Sequence, residues 1–412
     1  MSLAPLITKG FPWDDILNIC NDQLHPEIKA HIVPLYKQLH KYLDKNEKPS
    51  KSWIECRLIR IDACLYRIWE DLNTGHWKNV PIQHRYSYTI CSIVKSIVLE
   101  IYSDYDGIEK NEKIKEVAQQ VDKGLLLGAP LENFPNLLTD IASRINEYLS
   151  HDVSKATETL FEDTGDRLPK ELLQNCIWVK RYKTPSLETF HREVFALTPA
   201  ILEGCMDHWR ALTLWKDPNY LIKVAGTRTV PIEIGSSYTE EDWSQQLLTL
   251  KDFIQLHVKG TPEKVGYLAQ HQLFEQIPDL KEDFSIPDYC CFGDNADNAP
   301  VDINAWFGPK GTISPLHCDP RDNLLCQVFG CKKIILYHPN DREYLYPYAT
   351  RLLCNTAGVD PLNPDYEKFP KFKNAKGFMC YLEPGEMLYI PPGWWHHVVS
   401  LSPSFSISFW WN

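Results

Sequence analysis

The sequence predicts an α+β protein in which a helical N-terminal domain precedes a barrel or jelly roll of short β-strands. In the first third of the chain, apolar residues recur every three or four positions, as along one face of a helix. Beyond Trp178, short apolar runs alternate with Pro, Gly, Asn and Asp at strand-like intervals. With 412 residues, 44% of them hydrophobic, the chain is long enough for two or three domains with cores of their own.

The clearest helix follows Ser52 and carries an apolar stripe along one side. The stripe consists of Ile54, Leu58, Ile61, Leu65, Ile68 and Leu72. Ser52 lies three residues before Glu55, which fits a capping box at the helix start. Gly75, Gly107 and Pro135 are the expected breaks between this helix and similar periodic segments. No fixed-period repeat is evident, so we expect a helical bundle or a helical-hairpin array.

A polar segment separates the two halves. The stretch HDVSKATETLFEDTGDRLPK contains few large apolar side chains. It places a linker at residues 151–175, between a helical domain at 1–150 and a β-rich domain at 176–412. Within the second domain, Ser186 is the expected N-cap of an early helix. Residues 346–376, rich in Pro, Asn, Lys and Tyr, are expected to form a long surface excursion.

Composition restricts the class of partner. The net charge of -11 and the pI near 5.7 make a nucleic-acid surface or a membrane surface improbable and favour a basic partner. The cysteines number thirteen, an odd count, and none forms a C-x-x-C pair, which indicates a reducing compartment without a disulfide framework. No apolar run reaches the ~20 residues of a membrane span. We therefore expect a soluble intracellular protein.

The stretch SPLHCDP carries a candidate metal-binding pair. In a β-strand, residues two apart face the same side, so His317 and Asp319 point together while Cys318 points away. One imidazole and one carboxylate supply two of the three ligands of a facial triad. By itself this pair is a weak signal, because a polar turn before Pro320 has the same residues. Packing is the expected role of Cys318.

A third ligand has to come from another strand. The stretch LEPGEMLYIPPGWWHHVVSL predicts two turns followed by a strand that carries His396 and His397. Because side chains alternate along a strand, only one of these histidines can face the barrel interior. The alternation does not say which one, and both could instead be packing residues.

Together these motifs resemble the JmjC (jumonji-C) oxygenase family of the cupin superfamily. The resemblance rests on the H-x-D pair, the histidine 79 residues after His317, the C-terminal SFSISFWW and the opening segment PAILEGCMDHWRALTLW. It covers nearly all of the chain beyond the linker, and WEDLNTGHWKNV extends it into the helical part. The resemblance implies a double-stranded β-helix, a cupin-like jelly roll, with flanking helices.

The resemblance implies that His396 completes the metal site of His317 and Asp319, and that these three residues are catalytic. Iron(II) is the expected metal, because two imidazoles and one carboxylate leave three positions for 2-oxoglutarate and dioxygen. Zinc also fits these ligands but is the less favoured metal.

The resemblance also implies a lysine that holds the far carboxylate of 2-oxoglutarate. The matching residue is Lys332, thirteen residues after Asp319, with Tyr267 as the accompanying hydroxyl. Lys333 is the alternative cation, and strand alternation does not choose between the two lysines.

Ser314 and Asn323 match family positions that line the same pocket. Ser314 lies an odd number of residues from His317, so regular strand geometry turns it away from the metal. A structural hydroxyl or amide role fits both residues equally well.

For the substrate, the resemblance implies an arginine pocket formed by Glu233 and Trp306. A carboxylate gives a guanidinium a bidentate partner, and an indole face stacks on a planar cation. The alternatives are a solvent-exposed glutamate and a core tryptophan.

The activity implied is that of an iron(II)- and 2-oxoglutarate-dependent oxygenase that hydroxylates arginine at C3 in a basic protein or peptide, such as a histone tail or a ribosomal or chromatin protein. Two alternatives stay open: demethylation of methyl-lysine on the histone H3 tail, and a non-catalytic chromatin or adaptor role. The resemblance implies a nuclear location, with the cytoplasm as the alternative. No H-E-x-x-H motif supports a zinc protease.

Overall fold

The computed structural model describes residues 6–75, 79–105, 107–150, 160–161, 170–235, 242–293, 300–351 and 353–412. The chain divides into two compact units. The first contains the N-terminal helices together with residues 222–229 and 249–251, and the second contains the rest. The boundaries expected at residues 150 and 175 remain predictions.

Six helices make up most of the described N-terminal part of the first unit. They are α1 (Trp13–Gln23), α2 (Pro26–Asp44), α3 (Lys51–Leu72), α4 (Ile82–Tyr102), α5 (Lys110–Leu127) and α6 (Leu137–Ser150). Their apolar faces meet in one core, in which Ile32, Ile61, Ile97 and Ile145 are fully buried. The predicted helical N-terminal region is therefore confirmed, and the apolar stripe of α3 faces this core.

Helix α3 begins earlier than the expected capping box. The backbone N–H of Trp53 donates to Ser50 Oγ at 3.3 Å, so Ser50 is the N-cap. The capping role predicted for Ser52 was wrong, because Ser52 already lies in the first turn of the helix. The helix ends at Leu72, ahead of Gly75, whose φ of +82° suits a residue without a side chain.

The second unit contains the strands. They are β1 (Cys176–Trp178), β2 (Lys180–Lys183), β3 (Ala200–Glu203), β4 (Thr229–Ile234), β5 (Ser244–Thr249), β6 (Gly266–His271), β7 (Asp302–Gly308), β8 (Ile313–Cys318), β9 (Asp322–Phe329), β10 (Lys332–Tyr337), β11 (Gly377–Leu382), β12 (Glu386–Ile390), β13 (Trp395–Ser400) and β14 (Ser404–Trp411). One sheet has the order β1-β11-β10-β13-β8, and the other β2-β3-β12-β9-β14-β7-β6-β4-β5. The predicted cupin-like jelly roll is confirmed.

Short helices accompany the strands. They are α7 (Leu187–Glu193), α8 (Ala211–Leu214), α9 (Pro218–Ala225), α10 (Leu250–Phe253), α11 (Leu273–Gln276), α12 (Pro278–Lys281) and α13 (Arg342–Leu345). As expected, Ser186 caps α7 and accepts the backbone N–H of Thr189 at 3.1 Å. In the described ranges, no helix is both long enough and apolar enough to cross a bilayer.

Side-chain alternation along β10 fixes which residues face the interior of the jelly roll. Ile334 and Leu336 join an apolar cluster between the two sheets, while Ile335 and Tyr337 join a second cluster on the outer face. Lys332 has the same parity as Ile334, so it starts the inward-facing set.

The excursion at 346–376 is only partly a surface feature. The backbone N–H of Ala357 donates to the Leu316 carbonyl at 2.7 Å, and that of Cys318 donates to the Asn355 carbonyl at 2.9 Å. This backbone therefore runs along the free edge of β8. Ala357 and Phe372 are buried in the outer cluster, which is why the segment is held against the sheet.

Most of the predicted linker lies outside the described residues. Phe161, one of its described residues, is buried, and its ring stacks on Phe329 at a centroid distance of 4.9 Å. This part of the polar segment therefore packs onto the second unit.

Candidate functional site

Strands β8 and β13 bring two histidines and an aspartate together. His317 lies opposite His396 in the antiparallel pairing, with ring centroids 4.2 Å apart. Asp319 follows β8 directly, and its Oδ2 lies 3.8 Å from His317 Nε2 and 3.6 Å from His396 Nε2. Across the described ranges, these three residues form the group that could hold a metal ion, with donor atoms within 4.8 Å of one another.

The hydrogen bonds of the two imidazoles aim their free nitrogens at one point. His317 Nδ1 donates to the Pro315 carbonyl at 2.7 Å, and His396 Nδ1 donates to the Trp394 carbonyl at 3.1 Å. Because a carbonyl only accepts, each Nε2 keeps a lone pair. Burial, followed by the proximity of His317, lowers the pKa of His396 to about 4, so its ring is neutral near pH 7.

The aspartate supplies a buried acceptor that no group in the described part of the chain satisfies. Asp319 Oδ2 accepts no hydrogen bond there. A buried carboxylate oxygen without a donor is costly, and a cation would stabilise it. Two imidazole nitrogens and this oxygen match the donor set of a divalent iron site. The role of the three residues as ligands stays a prediction.

His397 lies on the other side of β13. Its Nε2 is 4.0 Å from Asp360 Oδ1, and the ring is buried on the outer face of the sheet. Burial lowers the pKa of His397 to about 4. Of the two histidines that sequence alternation could not separate, His396 is the one the structure places beside Asp319.

A β-bulge brings Ser314 to the side of His317. In the pairing of β8 with β13, Val398 lies opposite Ser314 and His396 opposite His317, so β8 holds one extra residue between them. The extra residue reverses the alternation, and Ser314 joins the lining of the cavity. The expectation that strand geometry turns Ser314 away was wrong.

Lys332 is buried inside the jelly roll beside Tyr267. Its side chain is 1% exposed, and Nζ donates to the Tyr267 hydroxyl at 3.2 Å. Burial lowers the pKa of Lys332 to about 7 and raises that of Tyr267. No carboxylate of the described residues pairs with Lys332. Lys333 is more exposed and faces the outer side, near Cys176.

These residues line one cavity of about 370 Å³ of empty space. Its predicted members are Tyr267, Trp306, Ser314, His317, Asp319, Asn323, Lys332 and His396. Within the described chain, Asn323 Oδ1 is buried without a hydrogen-bond partner. Trp410, which the sequence motifs did not single out, also lines the cavity and lies opposite Asn323 in the pairing of β14 with β9. Strand alternation along SFSISFWW does not say which of its two tryptophans faces inward.

The two residues expected to bind substrate lie on neighbouring parts of the nine-stranded sheet. The Trp306 ring forms part of the cavity wall, 6.1 Å from the Tyr267 ring centroid, and its Nε1 donates to Ser408 Oγ at 2.9 Å. Glu233 lies opposite Tyr267 in the pairing of β4 with β6, one strand beyond the cavity lining. Burial raises the pKa of Glu233, although a hydrogen bond from Trp243 lowers it in part.

Comparison with known proteins places the chain among cupin-like proteins. The cupin-like domain family matches residues 186–412. The Jumonji C domain-containing protein 5 of Drosophila melanogaster is 39% identical over 97% of this chain and 96% of its own length. The lysine-specific demethylase 8 of Danio rerio is 43% identical over 84% of this chain and 85% of its own. The human bifunctional peptidase and (3S)-lysyl hydroxylase JMJD7 is 26% identical over 56% of this chain and 82% of its own.

Proposed function

The chain belongs to the JmjC family of cupin-like proteins, and on that basis we propose that it is an iron(II)- and 2-oxoglutarate-dependent oxygenase that hydroxylates arginine at C3 in a protein substrate. JmjC proteins generally use these two cofactors. The observation that carries the proposal is the combination, in one cavity, of a His-Asp-His cluster and a buried lysine that pairs with no carboxylate of the described residues.

We propose His317, Asp319 and His396 as the iron ligands. Their donor atoms converge, and the orphaned Asp319 oxygen gains a cation when a metal binds. When bound, iron(II) with 2-oxoglutarate and dioxygen supplies the oxidation of an unactivated C–H bond. The Pro315 and Trp394 carbonyls hold both imidazoles in the tautomer that presents Nε2.

The Lys332 ammonium and the Tyr267 hydroxyl are proposed to hold the far carboxylate of 2-oxoglutarate. A buried cation without a carboxylate partner is stabilised by an anionic ligand, and Tyr267 adds a second donor. Ser314 and Thr312 both hydrogen-bond to Tyr267, so Ser314 supports the cosubstrate through that hydroxyl. The unsatisfied Asn323 amide supplies a further polar contact in the same cavity.

Glu233 and Trp306 are proposed to select an arginine side chain. They lie on the two strands that flank Tyr267: the Trp306 indole forms part of the cavity wall, and the Glu233 carboxylate lies one strand beyond it. A guanidinium uses both, through bidentate hydrogen bonds and stacking. A methylammonium group would instead favour several aromatic walls. Demethylation is the second candidate, because one relative carries the name lysine-specific demethylase 8.

The proposed substrates are basic segments of proteins, such as histone tails or ribosomal and chromatin proteins. The nucleus is the proposed place where the protein meets them. The net charge of -11 favours approach of a basic segment.

Mass spectrometry of basic peptides incubated with protein, iron(II), 2-oxoglutarate and ascorbate tests the proposal. We expect a retained gain of 16 Da on arginine, together with succinate, and no reaction in the His317→Ala variant. Loss of methyl groups with formaldehyde release would favour demethylation. No modified peptide and no succinate, from protein that binds metal, would favour the adaptor role.

A further inference from the structure

A cleft lies between α2 and α3 in the first unit, apart from the cavity in the jelly roll. Counting the part that is open to solvent, its space is about 650 Å³. The buried residues Ile32, Leu35 and Ile61 form apolar walls, and His31, Arg57 and Arg60 bring basic groups to it.

The two arginines have no acidic partner. Among the residues described, no carboxylate forms an ion pair with Arg57 or Arg60, and Arg57 Nε is buried without a hydrogen-bond acceptor. The Arg57 guanidinium lies 5.2 Å from the Trp53 ring, which holds it in place. A buried donor on a cation is costly when no acceptor reaches it, and an incoming carboxylate would satisfy it.

The cleft also offers a backbone acceptor. Pro34 lies inside α2 and has no N–H, so the Ala30 carbonyl loses the hydrogen bond that position 34 would normally donate. Both Ala30 and Pro34 line the cleft. A peptide presents N–H donors as well as carboxylates, whereas a simple inorganic anion presents chiefly acceptors. The mixture of donors and an acceptor therefore favours a peptide.

We propose that the α2–α3 cleft binds an acidic peptide segment of a partner protein. Its carboxylates would contact Arg57 and Arg60, one of its backbone N–H groups would donate to the Ala30 carbonyl, and its apolar side chains would meet the walls of Ile32, Leu35 and Ile61. The local positive charge carries the assignment, since neither Arg57 nor Arg60 forms an ion pair with a carboxylate among the described residues. This binding function is separate from the proposed oxygenase activity and does not depend on it.

Fluorescence anisotropy on the full chain tests the proposal. The probe is a fluorescein-labelled peptide that alternates pairs of glutamates with pairs of leucines. We expect saturable binding that weakens with salt. Arg60→Gln should weaken binding by about tenfold, in line with the loss of one charge-assisted contact. Arg57→Gln with Arg60→Gln should abolish saturation, and Lys115→Gln, which changes an exposed cation on α5, should leave binding unchanged.

Arg60→Glu keeps the test decisive if the double variant unfolds, because Arg60 is exposed and contributes little to the core. Wild-type affinity in a folded Arg60→Glu variant would overturn the proposal. So would equal binding of a control peptide in which lysines replace the glutamates, or the absence of saturable binding to the wild-type chain up to millimolar protein. Complete displacement of the probe by millimolar inorganic phosphate, with the same dependence on Arg60, would overturn it in favour of a small-anion site.

Discussion

Lys332 Nζ lies 3.2 Å from the Tyr267 hydroxyl, a contact that joins the two sheets across the interior of the jelly roll. Lys332 begins β10 in the five-stranded sheet, and Tyr267 lies on β6 in the nine-stranded sheet. Burial lowers the pKa of Lys332 to about 7, so near neutral pH its charge depends on the solution conditions.

Binding of 2-oxoglutarate should weaken as pH rises above about 7. In the proposed site the anion pairs with the ammonium form of Lys332, and above its pKa of about 7 the free protein loses that proton. We expect the Kd to increase by up to about tenfold per pH unit between pH 7 and 9. Calorimetric titration of manganese-loaded protein measures this. Lys333→Gln is the matched control and should keep the profile, and a flat wild-type profile would refute the assigned role of Lys332.

The free energy of unfolding of the ligand-free protein should rise with pH, whereas the binding of 2-oxoglutarate weakens. The unfolded chain keeps Lys332 protonated up to about pH 10.4, whereas the folded chain releases the proton near pH 7. Between these values the unfolded state binds more protons, so the free energy of unfolding rises with pH. Lys332→Met removes this contribution and should stabilise the ligand-free protein at pH 7 by on the order of a few kcal/mol. The measurement is urea unfolding of both proteins at pH 7 and pH 9. Equal slopes with pH would argue against a buried, shifted lysine.

Alanine substitutions of the two neighbouring histidines on β13 should have different effects, one on metal binding and the other on stability. His396→Ala removes a proposed metal ligand, and we expect the affinity for manganese(II) to fall by at least about a hundredfold, with loss of turnover. His397→Ala leaves the proposed ligands intact, so metal affinity should stay within about threefold while the buried outer face becomes less stable. Calorimetry and thermal melting separate the two effects. Loss of metal binding in His397→Ala alone would reverse the assignment.

Glu233 should affect the peptide substrate more than the cosubstrate. Glu233→Gln keeps the shape and removes the negative charge, so we expect kcat/KM for an arginine peptide to fall by about a hundredfold. Succinate formation without peptide should continue, because Glu233 lies one strand beyond the cavity lining. The two products are measured in parallel. Equal loss of both would mean that Glu233 acts on the cosubstrate side or on folding.

The N-cap of α3 can be tested with two adjacent serines. Ser50→Ala removes the acceptor for the Trp53 N–H and should lower the free energy of unfolding by about 1 kcal/mol. Ser52→Ala changes an exposed position in the first turn, and we expect an effect below about 0.5 kcal/mol. Urea unfolding followed by far-ultraviolet circular dichroism reports on the helices. A larger effect at Ser52 would restore the capping box expected from sequence.

The helical period of the first third and the short apolar runs of the second half predicted the α+β fold well. The N-terminal helices each have one apolar face, whereas most strands of the jelly roll are buried along nearly their whole length. The alternation of side chains along a strand could not show which of Lys332 and Lys333, or of His396 and His397, faces the interior. Each pair places the same type of side chain on both faces of its strand. The structure separates them through neighbours distant in sequence: Ile334 belongs to the inner cluster, and Asp360 packs beside His397.

Two local errors have definite causes. Ser52 has the spacing of a capping box with Glu55, yet Ser50 holds the backbone donor, because spacing alone does not reveal where the helical dihedral angles begin. Regular strand alternation predicted that Ser314 faces away from the site. This prediction was wrong because a β-bulge leaves no reliable mark in a single sequence. Trp410 was not singled out because strand alternation along SFSISFWW does not say which of its two tryptophans faces the cavity; its place there follows from the pairing with Asn323.

Because β8 has an extra residue between Ser314 and His317, the orientation of Ser314 depends more on the number of residues in this segment than on their identity. A substitution at Pro315 changes one side chain, but a deletion there would restore regular alternation and turn Ser314 outward while His317 and Asp319 kept their relation to each other. Such a variant would keep the three candidate metal ligands and lose a hydrogen bond to Tyr267. We therefore expect natural or engineered sequences with this fold to vary in composition at these positions more readily than in the number of residues.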